Sequence, residues 1–254
     1  MEKFEEIKKF HDIDLINLFS GIEKEERFQK PSLKSSGIMY HLYSRMIRSV
    51  KVANLVFESN IENNYTEAIP VLRHLVETYF HICYVNGGKN DDEIIFNEYE
   101  ELSKLQKWKL GRDFNELKKE KPQIHSDNIE FMNEFYVDKP KPNPPKHLEK
   151  IYLLAKTVGE YDVYVELYSL LSSFIHFNPM TKANFGEQVG DTFSFNKFVY
   201  DKKMDTQIRR FICRVVLLSM VQIASYFNLD DFEDNQLKDS VVKWRIIDGT
   251  LIPQ

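Results

Sequence analysis

The sequence predicts an all-α fold, a single helical bundle over residues 1–254, on three observations. Apolar residues recur at three- and four-residue spacing over long stretches, and period-two strand patterns are scarce. Nine glycines and nine prolines are all that punctuate 254 residues, which leaves room for long helices. The composition, 43% hydrophobic and 29% charged, is that of a globular protein able to bury a sizeable core.

Each element follows from its own pattern. Phe4, Ile7, Phe10, Ile13 (or Asp14) and Ile16 give a first helix over 4–18. A second starts after Ser35 or Ser36, both good N-caps, and carries Ile38, Leu42, Met46, Val50, Val52, Leu55 and Val56. A third spans 68–85. Pro70 sits near its start, where a missing N–H matters least, and Gly87-Gly88 stops it. A fourth, over 92–119, presents Ile95, Tyr99, Leu102, Leu105, Trp108 and Leu110 to the core. Four prolines fall within residues 140–145, so 138–147 is an extended, proline-rich connection. It is read as a link within one domain, because the helices flanking it lack separate full cores. Helices over 148–158 and 161–174 follow, then a long irregular loop over 178–201. A strongly apolar helix over 205–227 and a short helix close the chain.

Composition excludes several classes of function. A net charge of −5 argues against a surface that binds nucleic acid broadly. Basic residues cluster at Lys107, Lys109 and Arg112, at Lys139, Lys141 and Lys146, and at Lys202, Lys203, Arg209 and Arg210; each cluster reads as a solvated surface balanced by nearby acids. Cys83 and Cys213 sit in apolar helical stretches and read as reduced core residues. The most apolar run, 215–224, is short and interrupted by Ser219 and Gln222, so no membrane span is expected. The charged N-terminus lacks a signal-peptide core. Together these points predict a cytoplasmic protein.

Two short motifs carry the chemistry. Tyr168, Ser172 and His176 lie four residues apart on one helical face, and so do Arg73 and Glu77. A histidine near a helix C-terminus suits a general acid or base. Arg73 would stabilise charge on a phosphate, Glu77 would fix Arg73, and Ser172 would orient the imidazole. Tyr168, Asn178 and Arg214 are the candidate substrate contacts. The same residues are equally coherent as a polar clasp, with an Arg73–Glu77 ion pair beside a satisfied helix end. Arg214 lies in an apolar helix and needs a partner if buried; Glu166, Glu77 and Asp162 are the candidates. His74 and His81 are seven residues apart and lack the four-residue histidine pair of zinc peptidases, so no metal is predicted. No phosphate-cradling glycine loop occurs, since Gly87-Gly88 lacks the following Lys-Ser/Thr, and no cofactor is predicted. The phenylalanines around the 178–201 loop, such as Phe185 and Phe198, read as anchors rather than base-stacking platforms.

The ordered pair of motifs, Leu72 to Glu77 and Tyr168 to His176, with a Pro-Pro segment between them, resembles an uncharacterised bacterial all-α family, a domain of unknown function. The likeness covers roughly residues 35–225 and implies a fold but no reaction. A looser resemblance is to HEPN helical bundles, many of them RNA-cutting toxins or phage-defence effectors. The likeness implies a metal-independent endoribonuclease with His176 in the acid–base role. It also implies RNA as substrate, an antitoxin or other protein partner, and a homodimer with a shared groove. The HEPN pattern has an arginine a few residues before its histidine on one helix. Here Glu166, Leu167, Tyr168 and Ser169 stand there instead, so the arginine must come from elsewhere, Arg73 or Arg214. The alternative is a non-catalytic module that binds a partner or small ligand and uses the cluster as a clasp. The apolar faces of the 205–227 helix add a physical reason for a dimer.

Overall fold

A computed structural model describes residues 2–61, 64–121, 140–175, 186–195 and 201–249. They form an all-α bundle. The chain enters through α1 (Glu2–Lys9), a π-helical stretch at Phe10–Asp14 and α2 (Leu15–Ile22). The π turn explains why the simple spacing fails here. Phe10 and Leu15, five residues apart, are both fully buried, whereas Ile13 is 51% exposed.

After the short α3 (Glu26–Gln29), α4 (Ser36–Phe57) and α5 (Tyr65–Gly87) form a helical hairpin. Neither serine caps α4 through its own side chain. Asp92, at the start of α6 (Asp92–Glu120), does so from outside: its carboxylate accepts from Lys34 N at 2.6 Å and from Ser35 N at 2.8 Å. Burial raises the pKa of this carboxyl, but hydrogen bonds from Ser35 and Lys34 outweigh it and hold the value below normal. Ser35 Oγ bonds instead to Asp92 and, at 2.7 Å, to the hydroxyl of Tyr226. Pro70 lies inside α5, in its second turn, rather than at its first position. Leu110, expected in the core stripe of α6, is 48% exposed; Leu105 and Phe114 are the buried positions there.

The expected 148–158 helix is broken in two, α7 (Lys146–Glu149) and α8 (Ile151–Thr157), by an extended Lys150. The next helix is continuous but mixed: α9 (Tyr161–Val163), a π stretch at Tyr164–Ser169, and α10 (Leu170–Ile175). The region expected as an irregular loop contains a hairpin. Strands β1 (Gly186–Val189) and β2 (Thr192–Phe195) pair antiparallel, with Val189 opposite Thr192 across a turn at Gly190 and Asp191. Gly190 has φ +59°, the left-handed conformation that such a two-residue turn requires.

Helix α11 (Lys202–Phe227) is opened by Asp201, whose side chain accepts from Lys203 N and Met204 N. It closes at Asn228 in the left-handed region, with Leu229 N donating to Ala224 O at 3.0 Å. Short α12 (Asp230–Phe232), a π stretch and α13 (Lys238–Asp248) follow. α11 is long and apolar enough to cross a membrane by length and composition, yet 61% of its most apolar window is buried inside the bundle. Its apolar residues are all buried or half-buried, from Ile208 to Phe227, so its surplus faces are covered within the chain. That removes the physical reason for a dimer through this helix and leaves the homodimer resting on resemblance alone.

α5 is the centre of the packing. α4 and α11 cover two of its sides, and the 161–175 helix crosses a third. Its Leu72, Val76, Tyr79, Phe80 and Ile82 are essentially inaccessible to solvent. Arg73, His74 and Glu77 are half-buried positions in its middle that meet polar groups of neighbouring helices.

Candidate functional site

Arg73 is held by the helix that follows the proline-rich segment. Its Nε donates to Ser172 Oγ at 3.1 Å, and its Nη2 donates to the Tyr168 hydroxyl at 2.6 Å. The guanidinium also lies over the Tyr168 ring, 4.6 Å from the centroid. Ser172 uses both roles of its hydroxyl: it accepts from Arg73 and donates to the Tyr168 carbonyl at 2.7 Å, one turn back. That carbonyl lies in the π stretch, where regular i→i−4 pairing is suspended.

Tyr168 ends a column of rings. Tyr161 stacks on Tyr164 at 5.7 Å and Tyr164 on Tyr168 at 5.4 Å, with interplanar angles of 10° and 23°. Lys156 Nζ closes the far end, 4.7 Å from the Tyr161 centroid. A cation therefore stands at each end of three stacked phenols. Burial, then the negative charge of Glu77, raises the Tyr168 pKa against the opposing pull of Arg73. The residue is a neutral phenol at neutral pH and suits binding rather than nucleophilic attack.

Glu77 does not fix Arg73, as the four-residue spacing suggests. Its carboxylate is 3.8 Å from Arg45 Nη2, on α4. Arg45 also lies against the His74 ring, with Nε donating to Nε2 and Nη2 2.8 Å from Nδ1. A neutral imidazole has one acceptor nitrogen, so a single tautomer satisfies only one of these contacts. Burial, and then the charges of Arg45 and Arg73, lower the His74 pKa and keep the ring neutral. The outcome is two adjoining arginine sites on α5, Arg73 facing the 161–175 helix and Arg45 reaching in from α4. α4 attracts attention in the sequence only for its core stripe. Its signal was legible as His41, Arg45 and Arg48, spaced four and three residues apart on one helical face.

Arg214 does not join this cluster. It is 44% exposed, and its partner is Glu166 at 3.4 Å, one of the three candidates. The buried arginine of α11 is Arg209, which the sequence assigns to a surface cluster. It is 3% exposed and bonds Asp205 at 2.8 Å and Asp12 at 3.0 Å, over the ring of Phe57. His11 completes that group. Its burial lowers its pKa, against the hydrogen bond it donates to Asp12. His176 and Asn178 lie outside the described residues; Ser172, one helical turn before His176 in sequence, is the nearest described member of that motif. Cys83 and Cys213 are free, buried thiols. Among the described residues no cluster of three or more His, Cys, Asp or Glu is placed to hold a metal ion.

A family model matches residues 36–192, more than half of the chain. The chain belongs to the family of unknown function DUF5677. No curated protein and no solved structure matches it. The DUF5677 region contains Arg45, Arg73, His74, Glu77, Tyr168, Ser172 and His176. The buried ion cluster of Asp12, Asp205 and Arg209 lies outside it. The α4, α5 and 161–175 surfaces that carry the candidate site thus lie within the part of this chain that matches DUF5677.

Proposed function

We propose that this DUF5677 chain is a cytoplasmic, HEPN-like, metal-independent endoribonuclease of a bacterial toxin or phage-defence system. His176 is the general acid or base, and Arg73 stabilises the phosphate. The observation that carries this reading is the tie between Arg73 and Tyr168–Ser172. An arginine from a separate helix is brought against the 161–175 helix at Tyr168 and Ser172, four residues before His176 in the sequence. That supplies the arginine that the HEPN pattern expects but the His176 helix lacks. In the reaction, the 2′-oxygen of RNA bonds to the neighbouring phosphorus as the bond to the 5′-oxygen breaks. The product is a 2′,3′-cyclic phosphate. His176 takes the 2′-proton or supplies the proton that the 5′-oxygen needs, and the guanidinium offsets charge growing on the phosphoryl oxygens. Glu77 acts through Arg45, and Ser172 and Tyr168 act through Arg73. A homodimer and an antitoxin-like protein partner belong to the same proposal.

One observation favours a second reading, a non-catalytic module that binds a partner or ligand. Two of the Arg73 nitrogens are already engaged within the chain, which is also how a structural clasp is built. Incubating RNA with the wild-type chain and a His176→Ala variant, in chelator, separates the two. The nuclease reading expects cyclic-phosphate ends from the wild type alone, and the clasp reading expects none from either.

A further inference from the structure

A cavity of about 520 Å³ opens between α4 and α5, with Arg45 and His74 in its lining. Its size is in the range of small-ligand sites. Its walls are polar at one end and apolar at the other. The two helices form a hairpin in which Arg45 of α4 meets His74 of α5, so positions later in α4 face positions earlier in α5. His41, Arg45 and His74 therefore gather at one end, Arg48 stands level with Val71 beside Pro70, and Val52 closes the other end. Among the described residues no acidic side chain lines the cavity; the carboxylate of Glu77 is 3.8 Å from Arg45. Arg48 is exposed and makes no ion pair or hydrogen bond among the described residues. Val52 is 46% exposed, an apolar side chain left uncovered at the cleft.

We infer that this cleft is a binding site for a small phosphate monoester with an apolar or aromatic body. Two guanidinium groups, one turn apart on α4, and an imidazole match a dianionic phosphate, whose oxygens accept several charge-assisted hydrogen bonds at once. Val52, Pro70 and Val71 offer the apolar body a surface out of water. Arg45 arrives with one side already occupied by His74 and Glu77, which fixes its guanidinium before a ligand comes. Arg48 and His41 are the exposed groups that close on the phosphate. The cleft shares Arg45 with the Glu77 contact and contains neither Arg73 nor Ser172 in its lining, and its ligand takes no part in the cleavage step.

The test uses the full chain and calorimetric titration with phenyl phosphate, inorganic phosphate and phenol. Phenyl phosphate should bind at least tenfold more tightly than either fragment. Arg48→Glu and Val52→Glu, one turn apart on α4, should each weaken it tenfold or more while the melting temperature stays within a few degrees. If Arg48→Glu melts early, Arg48→Gln takes its place, with a smaller but measurable loss. Absence of phenyl phosphate binding, or binding that both variants leave untouched, overturns the inference. So does phosphate alone binding as tightly as phenyl phosphate, because the apolar end would then have no part. Loss of RNA binding in Arg48→Glu without phenyl phosphate binding in the wild type assigns the cleft to an RNA strand and overturns the small-ligand proposal. His176→Ala, which silences cleavage in the nuclease reading, should leave phenyl phosphate affinity unchanged.

Discussion

Arg73 binds Tyr168 in two ways at once: a 2.6 Å hydrogen bond to the hydroxyl and a cation–ring contact at 4.6 Å. The two can be separated by chemistry. Tyr168→Phe removes the hydrogen bond and keeps the ring, and should destabilise the fold by about 1 kcal/mol. Tyr168→Ala also removes the end of the tyrosine column, and should destabilise by roughly 3 kcal/mol or more. Equal losses in chemical denaturation would mean that the ring contributes nothing.

The partner of Glu77 gives a second expectation. Because the carboxylate leans on Arg45, Arg73→Ala should leave it paired, and the stability loss should be about 1–2 kcal/mol. Arg45→Ala strands Glu77 and frees His74, and should be the more damaging of the two. A double-mutant cycle with Glu77→Gln should give coupling to Arg45 and little to Arg73. The reverse pattern would restore the Arg73–Glu77 pair that their spacing suggests.

Arg209 should be the most sensitive charge in the chain. It is 3% exposed and bonds two carboxylates. Arg209→Ala leaves Asp205 buried without its guanidinium and should destabilise by about 3–5 kcal/mol. Arg214→Ala, one exposed turn further along α11, should change stability by no more than about 0.5 kcal/mol. Thermal melting of the two variants side by side checks the contrast.

His81 should impose a pH dependence on stability. Burial, and then the charge of Arg45, lower its pKa to about 4, and its Nδ1 is 2.8 Å from the Tyr99 hydroxyl. The unfolded chain takes up this proton near the ordinary histidine pKa of about 6.5. Between those two values the unfolded state holds more protons than the folded state. The contribution is therefore complete above about 6.5 and is lost as pH falls towards 4. The span corresponds to about 3 kcal/mol at most. Wild type should lose that much more stability than His81→Gln between pH 7 and pH 4, measured by denaturant unfolding. Parallel loss in both would show that His81 already titrates normally when folded.

How much was legible in the sequence varies with the physics of each part. The long helices were, because α4, α5, α6 and α11 repeat apolar residues at helical spacing, and α5 and α11 stop at glycine and asparagine. The π turns were not. They add a residue without a composition signal, and they move Ile13 outward while Phe10 and Leu15 both turn inward. The β1–β2 hairpin is only four residues per strand, too short for alternation to stand out. At the site, the four-residue spacing of Arg73 and Glu77 is genuine, but both lean towards neighbouring helices. Spacing reports which residues share a face, not which helix that face meets. Arg209 and Arg214 differ by five residues and have opposite fates, because only the packing of α11 against the N-terminal helix decides which of them is buried.

The most direct test of the account is cleavage of RNA by the full chain in chelator, comparing wild type with His176→Ala and Arg73→Ala. The account predicts fragments with 2′,3′-cyclic phosphate ends from wild type. It predicts loss by at least a hundredfold in His176→Ala at an unchanged melting temperature, and a large loss in Arg73→Ala with the modest destabilisation given above. RNA left intact by the wild type, or cleaved equally by His176→Ala, would contradict it.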